Sequence, residues 1–472
     1  MSKAMPKDIA QENSPQKALS KCQPARFIQA VCHFLSGKSI LLLGFGREGQ
    51  SMLSFLTQHL PDAKLAIADQ NPIPEASVTK IIGQKTALPP LFTGPSYLDS
   101  VKKYDVIIKS PGVAIKDLLP PSEKAKITSM TDLFLRFNTN PIIGVTGTKG
   151  KSTTSALIAH LLNATGRKAL LVGNIGEPCF NDLSKITPET VIVYELSAHQ
   201  LEYVQKSPAI AVLLNIYEEH FDHYAKPADY YHAKQNIFRF QTAKDTLIYG
   251  DIFRHTTRAQ LQAVKSHQIN FLQDFTLDPK TFTSPLKGAH FFNDIKAALA
   301  ACEALGQKRA ALLPQLASFK PLPHRLQYVG KFKDIDFYND SIATASEAVM
   351  SALKTFPQTN TIILGGLDRG LNYHALVDFI LRQTQVEHIL LMPGTAERFT
   401  KLFHTALKHH TPKRQFSLHS VTSLEEAVQL AYQHTKPGHV CLLSPAAASY
   451  NAFKNFEDRG NQFMALVKKY GA

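Results

Sequence analysis

The residues Gly147-Thr-Lys-Gly-Lys-Ser-Thr153 have the types and spacing of a loop that holds phosphate groups. A β-like run over 141–145 precedes this loop, and a helical pattern over 152–163 follows it. Glycine in the loop permits backbone conformations that aim successive N–H groups and a helix N-terminus at anionic oxygens. A lysine then supplies charge for the β- and γ-phosphates, and a serine supplies a hydroxyl for Mg²⁺. The pattern predicts a nucleoside triphosphate site made of Gly147, Thr148, Lys149, Gly150, Lys151, Ser152 and Thr153.

Two polar stretches follow the next strand-like runs and are candidates for metal ligands. Glu195 closes the run 190–194, and Glu219-His220-Phe-Asp222 follows the run 209–214. A magnesium ion that bridges phosphate oxygens needs a hard anionic ligand at such a strand end. The alternatives are a surface glutamate and a structural histidine. We predict that Ser152, Glu195 and His220 contribute to metal sites.

Lys234 lies on a predicted helix, 228–238, one turn after Tyr230, so the two side chains project from the same face. Lysines on helices are mostly solvated. Residue chemistry alone therefore favours a solvent-exposed lysine here.

Near the N-terminus, Gly44-Phe-Gly46-Arg-Glu-Gly49 follows a strand-like run, and Asp69 ends another run twenty residues beyond Gly49. This spacing is typical of dinucleotide-binding turns. It fits NAD binding, UDP-sugar binding or a tight turn without a ligand. A second turn, Ser110-Pro-Gly112, is expected to face the same crevice or to be an ordinary loop.

The C-terminal part offers a cation and a carboxylate near the run 337–340, namely Arg325 and Asp340. We expect Arg325 to reach a γ-phosphate, and Asp340 to meet the ribose or the Mg²⁺ region. The stretch from Leu443 to Gly460 combines a strand, a turn of small residues and a helix start. It suits either a carboxylate-binding turn or a tight packing corner.

Strand-like runs alternate with helical periodicity from Ser39 onward, which predicts parallel α/β sheets. Polar or proline-rich boundaries at 138–141 and 319–323 divide the chain. We predict an α/β protein of three domains: a Rossmann-like N-terminal domain, a central P-loop ATPase domain and a Rossmann-like C-terminal domain. The predicted ranges are 1–37 for a tail and first helix, 38–137, 138–318 and 319–472.

The composition of the chain favours some classes of binding partner over others. The chain has 472 residues and a net charge of +14, but its basic residues are scattered, which favours anionic substrates over nucleic acid. Five scattered cysteines favour reduced thiols over zinc. No long apolar run or apolar leader is present, so we expect a cytoplasmic protein without a membrane segment. We also expect a monomer.

Taken in order, these motifs resemble the Mur ligase family over nearly the whole chain from Ser39 to Gly471. The most specific stretches are Gly147–Ser152, Gly173-Asn-Ile-Gly176, Glu219–Asp222, Leu322-Pro-His-Arg325, and Leu443-Ser-Pro-Ala through Arg459-Gly460.

The resemblance implies an ATP-dependent ligase of peptidoglycan precursor synthesis that adds glutamate to UDP-N-acetylmuramoyl-L-alanine. The implied ATP contacts outside the phosphate loop are Asp294, Arg325 and Asp340. The implied contacts with the UDP substrate are Gly44, Gly46, Asp69, Ser110, Gly112 and, on the muramoyl group, Asn174. The implied glutamate contacts are Arg369, Ser449 and Phe456. The implied catalytic groups are Lys151, Lys234 and His220.

The same resemblance implies two Mg²⁺ sites, with ligands from Ser152, Glu195, His220 and Lys234. Lys234 matches the lysine that reacts with CO₂ to form a carbamate in the family, which converts a cation into an anion able to orient a second Mg²⁺. The implied reaction phosphorylates the alanyl carboxylate, and the glutamate amine then attacks the acyl phosphate. Domain closure about Asn138 and Phe319 is expected to exclude water.

The chain departs from the family at two places. Many members have lysine where this chain has Ile342, so an L-glutamate-adding enzyme stands beside the first choice, D-glutamate. The adenine-side motif reads Gly288-Ala-His-Phe291 with Asp294, in place of the usual asparagines. Three further hypotheses are a folylpolyglutamate synthase-like ligase, an NAD-linked dehydrogenase with a nucleotide-binding domain, and a nucleotide-gated binding protein.

Overall fold

The computed structural model describes residues 23–115, 118–174, 177–217, 223–224, 226–252, 256, 258–286, 288–409 and 414–472. Short strands alternate with helices and form three sheets. The chain divides into two compact units, one of residues up to 284 together with 290–319 and one of 285–289 with 320–472.

The first sheet has the order β3-β2-β1-β4-β5, and its strands are all parallel. Residues 40–43 of its central strand are fully buried, as expected for an apolar strand covered by helices on both faces. The elements are α1 (Gln23–Leu35), β1 (Ser39–Leu43), α2 (Arg47–His59), β2 (Lys64–Asp69), α3 (Glu75–Ile82), β3 (Leu91–Thr93), a 3₁₀ helix (Tyr97–Lys103), β4 (Val106–Lys109), α4 (Pro121–Lys124), β5 (Ile127–Thr128) and α5 (Met130–Phe137).

The second sheet has the order β11-β10-β9-β6-β8-β7 and is also parallel. Its elements are β6 (Ile142–Thr146), α6 (Lys151–Ala164), β7 (Ala169–Gly173), a 3₁₀ helix (Leu183–Lys185), β8 (Val191–Glu195), α7 (Ala198–Leu201), β9 (Ile210–Asn215), α8 (Pro227–Arg239), β10 (Thr246–Asp251), α9 (Arg258–Gln262), β11 (His267–Asn270), a 3₁₀ helix (Pro279–Thr281), α10 (Ala289–Ala304), α11 (Arg309–Leu312) and a 3₁₀ helix (Leu313–Ser318).

Strand register positions the second sheet's polar residues. Val145 pairs with Glu195 on one side of β6, and Thr146 pairs with Leu213 on the other. The carboxyl ends of the three neighbouring strands therefore meet at one edge, where ligands bind in open α/β sheets.

The third sheet has the order β12-β13-β17-β14-β15-β16. All pairs are parallel except β12 with β13, an antiparallel hairpin that the alternating pattern did not predict. Its elements are β12 (Gln327–Phe332), β13 (Ile335–Asn339), α12 (Ser346–Thr355), β14 (Thr359–Gly365), α13 (His374–Gln383), β15 (His388–Met392), α14 (Ala396–His409), β16 (Ser417–Ser420), α15 (Leu424–His434), β17 (Val440–Leu443) and α16 (Phe456–Gly471).

The predicted α/β class is confirmed by these three sheets, and the predicted strands agree with the observed ones to within a residue or two at most ends. The predicted first helix is present as α1, where Phe27 packs on Phe134 of α5 at 5.4 Å and on Phe180 at 5.2 Å between ring centroids. In the described part of the chain, no helix combines the length and apolar composition that a membrane crossing requires.

Candidate functional site

The phosphate loop lies between β6 and α6, as predicted. Gly147 and Gly150 both have positive φ, 157° and 87°, and Gly150 is the N-cap of α6 without any side-chain cap. A Cβ at position 150 would contact the Asp294 carboxylate and lie 3.1 Å from Leu214 Cδ1. Glycine is therefore required there by conformation and by space, and the helix N-terminus that follows it is the kind of site at which proteins bind anions.

Asn215, at the end of β9, holds the loop. Its Oδ1 accepts hydrogen bonds from the backbone N–H of Thr148, at 3.0 Å, and of Lys149, at 2.9 Å. Its Nδ2 donates to the Lys149 carbonyl at 3.1 Å. The sequence motifs did not predict a role for this residue. The only signal for it was a polar side chain at the end of an otherwise apolar strand.

Lys151 and Lys234 meet at the same point of the loop. Their Nζ atoms donate to the Gly147 carbonyl at 2.9 Å and 2.8 Å respectively, so the two nitrogens lie within about 6 Å of one another. Two ammonium groups at that distance repel by about 3 kcal/mol at an effective dielectric constant near 20. The site therefore favours an anion, such as a phosphate, that is shared by the two.

The prediction of a solvated face for Lys234 is wrong. The side chain is 2% exposed, and its Nζ lies 4.9 Å from the centre of the Tyr230 ring, which confirms that the two share a helix face. Helix periodicity placed the lysine correctly relative to the tyrosine. It did not show that this face packs against the phosphate loop.

Glu195 is fully buried at the end of β8, so the alternative of a surface glutamate is also wrong. Its Oε1 accepts from Ser152 Oγ at 3.2 Å and from Asn174 Nδ2 at 2.8 Å. Among the described residues, none hydrogen-bonds its Oε2. A buried carboxylate oxygen without a partner, beside a hydroxyl at a phosphate loop, fits a Mg²⁺ ligand. His220 lies outside the described residues.

The Gly44 loop and the Ser110 loop support each other at the carboxyl edge of the first sheet. Gly44 has φ 97°, and a Cβ there would lie 2.7 Å from Val113 Cγ2 and 2.8 Å from Ser110 Cβ. Ser110 Oγ donates to the Gly44 carbonyl at 2.9 Å. Asp69 accepts from the backbone N–H of Phe45 at 2.8 Å, so its carboxylate fixes the turn.

These two loops, Lys151 of the phosphate loop and Lys234 of α8 line one cleft with a volume of about 800 Å³. The predicted site residues along it are Gly44, Gly46, Asp69, Ser110, Gly112, Asn174, Lys151 and Lys234. A cleft of this size takes an extended ligand of drug size or larger. The structure thus brings together residues that the sequence assigned separately to a sugar nucleotide and to a triphosphate.

A buried charge cluster that the sequence did not reveal lies beside the cleft. Lys109, at the end of β4, is 3% exposed, and its Nζ lies 3.0 Å from Glu202 Oε2. The same carboxylate oxygen lies 3.4 Å from His223 Nε2. Gln200 Nε2 donates to Glu48 Oε1 at 2.7 Å. These contacts join the first two sheets.

In the second compact unit, Asp340 follows β13 and is buried. It accepts from Ser444 Oγ at 2.8 Å and from the Leu326 N–H at 3.2 Å. Burial raises the pKa of Asp340 to about 7, although Ser444 and Arg325 oppose the shift. The Arg325 Nε is buried, and no described residue accepts a hydrogen bond from it. The roles predicted for Arg325 and Asp340 at ATP stay predictions.

The residues predicted for glutamate lie on neighbouring loops of that unit. Arg369 is exposed in the loop after β14, and Leu367 of this loop donates its N–H to the carbonyl of Ala448, next to Ser449, at 2.8 Å. Phe456 begins α16, and its carbonyl accepts from Ser341 Oγ at 2.8 Å.

Beneath these loops lies Arg459, which is 1% exposed. Its guanidinium donates to Ser341 Oγ at 3.0 Å, to the Ser341 carbonyl at 2.8 Å and to the Ala447 carbonyl at 3.1 Å. Burial lowers its pKa to about 10. The arginine ties the ends of β13 and β17 together.

Comparison with known proteins gives two matching domain models: the Mur ligase middle domain over residues 145–275 and the Mur ligase glutamate ligase domain over 324–447. The chain is 30% identical over 462 residues to a UDP-N-acetylmuramoylalanine–D-glutamate ligase of Acetivibrio thermocellus, covering 93% of this chain and 98% of that protein. It is 33% identical over 468 residues to a UDP-N-acetylmuramoyl-L-alanine–L-glutamate ligase of Xanthomonas euvesicatoria, covering 92% and 96%.

Among solved structures, the MurF ligase from Thermotoga maritima in complex with ADP superposes with a TM-score of 0.56 at 15% identity, covering 91% of this chain and 95% of that one. This likeness concerns the fold. Because relatives at 30% identity or more match over nearly their entire length, the chain belongs to the Mur ligase family.

Proposed function

We propose that this chain is an ATP-dependent ligase that joins glutamate to UDP-N-acetylmuramoyl-L-alanine in peptidoglycan precursor synthesis. The observation that carries the proposal is the single cleft of about 800 Å³ that runs from the Gly44 loop to Lys151 and Lys234. A sugar nucleotide whose carboxyl group reacts with ATP needs such a continuous path from its nucleotide to the triphosphate. Two relatives that this chain matches over nearly their whole length are named UDP-N-acetylmuramoylalanine–D-glutamate ligase.

In the proposed reaction, an oxygen of the alanyl carboxylate bonds to the γ-phosphorus of ATP and ADP leaves. The glutamate amine then attacks the carbonyl carbon, loses a proton, and inorganic phosphate departs. Both substrates are anions that repel each other in water. Lys151, the loop N–H groups and the start of α6 bind the phosphates and reduce this repulsion, so the protein contributes alignment and charge neutralisation.

The residues at Glu195 fit a Mg²⁺ ion, with Glu195 and Ser152 as its protein ligands. A bound Mg²⁺ would screen the phosphate charge and polarise the γ-phosphoryl group. Asn174, which donates to Glu195, holds the carboxylate in place. We further propose a second Mg²⁺ site with His220 and a modified Lys234.

We propose that the Lys234 ammonium loses a proton and that the resulting amine reacts with CO₂, forming an N–C bond and releasing a second proton, to give a carbamate. Conversion of a buried cation into an anion would relieve its repulsion with Lys151. Carbon-13 NMR with labelled bicarbonate should show a carbamate signal that Lys234→Ala removes and that Lys206→Ala, at an exposed lysine, retains. Short-chain carboxylic acids should partly restore turnover of Lys234→Ala. A carbamate signal of equal size in both variants would contradict the assignment.

The glutamate enantiomer is a separate question, and D-glutamate is the first candidate. A specific observation supports L-glutamate as the second: the relative from Xanthomonas euvesicatoria is named for it, at 33% identity. Ile342 supplies no charge in the loop that follows Asp340. The backbone N–H of Ile342 donates a hydrogen bond to the His324 carbonyl at 3.2 Å. Phosphate release with each enantiomer decides between them. Ile342→Lys introduces the cation that many family members carry at this position, and it should increase the use of D-glutamate relative to L-glutamate.

For the second compact unit we propose that Arg325 and Asp340 contact ATP, and that Arg369, Ser449 and Phe456 surround the glutamate. Each can be tested by the KM of the corresponding substrate.

The central experiment measures phosphate release from ATP. Release should require both UDP-N-acetylmuramoyl-L-alanine and glutamate, and Lys151→Ala should abolish it. Release with a folate and glutamate would support the folylpolyglutamate alternative. ATP binding without substrate-dependent hydrolysis would support a nucleotide-gated binding protein. Nicotinamide turnover would support the dehydrogenase alternative, which family membership disfavours.

A further inference from the structure

Glu48 is a carboxyl group in the wall of a cleft that the proposed function fills with an anion. It is the second residue of α2, and it lines the cleft between the Gly44 loop and Gln200. A nucleoside diphosphate carries two or more negative charges. An ionised carboxylate in the same cleft would oppose its binding.

The hydrogen bonds of Glu48 suit a neutral group better than a charged one. Oε1 accepts from Gln200 Nε2, whereas Oε2 is enclosed and no described residue hydrogen-bonds it. An ionised carboxylate in an enclosed site is stabilised by several donors, and Glu48 has one from the described residues.

Lys109 is a buried cation whose charge acts on Glu48, but it does not neutralise the Glu48 carboxylate. Lys109 pairs with Glu202 at 3.0 Å. Burial acts to raise the pKa of Glu202, but His223 and Lys109 outweigh it and lower that pKa, so Glu202 is the carboxylate that balances Lys109. The charge of an ionised Glu48 would therefore not be balanced by Lys109.

The other charged or titratable groups around Glu48 come from several elements. Arg47 belongs to its own helix and is largely exposed. Burial raises the pKa of the Cys179 thiol and of the Tyr194 hydroxyl well above their usual values, so both stay neutral. His199 lines the same cleft, and Lys151 and Lys234 line it near the phosphate loop.

We propose that Glu48 is a residue of the substrate cleft that binds a proton when the anionic sugar nucleotide occupies the cleft, so that substrate binding takes up one proton. The proposal rests on the proposed function, since that function supplies the anion. Burial raises the pKa of Glu48 even without a ligand, against the opposing effects of Gln200, Lys109 and Arg47. A bound diphosphate adds to the shift in the same direction.

The consequence is a pH-dependent affinity. Where the free protein holds Glu48 ionised, the dissociation constant of the sugar nucleotide should rise by up to about tenfold per pH unit. As the pH falls and Glu48 becomes protonated before binding, the affinity should reach a plateau.

The test is calorimetric titration of the full chain with UDP-N-acetylmuramoyl-L-alanine in buffers of different ionisation enthalpy, across neutral and alkaline pH. The wild type should take up close to one proton at alkaline pH. Glu48→Gln keeps a side chain that is neutral at every pH, and it should bind without uptake and with a flat pH profile. Glu177→Gln alters an exposed glutamate near Arg47, and it should retain the wild-type uptake.

Kinetics provide a second readout. The loss of pH dependence in Glu48→Gln should fall on the KM for the sugar nucleotide rather than on kcat, and Glu48→Asp should restore a pH-dependent KM. Binding with equal uptake in wild type and Glu48→Gln would overturn the inference while leaving the proposed function intact. Failure of every variant, including the wild type, to bind this ligand would instead refute the proposed function.

Discussion

Replacement of Gly150 by alanine should damage the phosphate loop in a way that a matched glycine replacement on the same helix does not. Gly150 precedes α6 and has φ 87°, and Gly166 follows α6 and has φ 82°. A Cβ at 166 would have no atom within 4 Å among the described residues, whereas one at 150 would meet Asp294 and Leu214. Both alanine substitutions therefore strain the backbone, but only the one at position 150 also brings the new methyl group against Asp294 and Leu214.

The shared strain is that of an L-residue in the left-handed region, about 1–2 kcal/mol. For a protein of several hundred residues this lowers Tm by a few degrees. In Gly150→Ala the methyl group also displaces the Asp294 carboxylate or moves the loop. Since the loop N–H groups and Lys151 must converge on one phosphate, we expect the KM for ATP to rise at least tenfold, which corresponds to about 1.4 kcal/mol.

The assay pairs thermal unfolding with the KM for ATP in phosphate release. Gly166→Ala should lose a few degrees of Tm and keep the KM of the wild type. Gly150→Ala should lose at least as much Tm and show the raised KM. If the two variants had equal KM values, the contact with Asp294 would not shape the loop, and the reasoning would fail.

Three further outcomes are expected. Asn215→Ala removes the acceptor for two loop N–H groups, so it should cost about 1–3 kcal/mol of stability and raise the KM for ATP. Asn215→Asp keeps this acceptor but loses the Nδ2 donor to Lys149 and adds a negative charge at the loop, so it should retain more stability than Asn215→Ala and still raise the KM for ATP. A Tm of Asn215→Ala equal to that of the wild type would contradict this. Arg459→Met leaves buried carbonyls without a donor and should destabilise the protein by about 3 kcal/mol, measured by denaturant unfolding. Arg459→Lys should recover only part of the lost stability, because an ammonium does not reproduce the planar set of guanidinium donors. Asp340 has a pKa of about 7 in the folded protein, above its unfolded value, so its contribution to stability is full at low pH and is lost as the pH rises toward and through 7. Asp340→Asn should therefore flatten this part of the curve of Tm against pH, measured without ATP. An unchanged slope would count against the raised pKa of Asp340.

The phosphate loop and the Gly44 turn were predictable because their information is local. Positive φ at Gly44, Gly147 and Gly150 follows from glycine at fixed spacing between a strand and a helix. Apolar runs of four to six residues likewise predict parallel strands, since both faces of such strands are covered.

Contacts that depend on packing between elements were not predictable. Asn215 reaches the loop because β9 lies next to β6, and a single sequence does not give strand order. Lys234 is buried because α8 packs its lysine face on the phosphate loop, whereas helix periodicity shows only which residues share a face. The pairing of Glu48 with Gln200 likewise requires that the first two sheets meet.

Arg459 has one more consequence. Carbonyl dipoles and a hydroxyl surround its guanidinium, and in the described part of the chain no carboxylate forms an ion pair with it. Dipoles orient a charge but do not cancel it, so the second unit retains a permanent positive potential beneath the carboxyl edge of its sheet. Mobile counterions cannot approach a guanidinium that is 1% exposed. Added salt should therefore weaken the attraction between Arg459 and small dicarboxylates less than it weakens the attraction between surface lysines and the same anions.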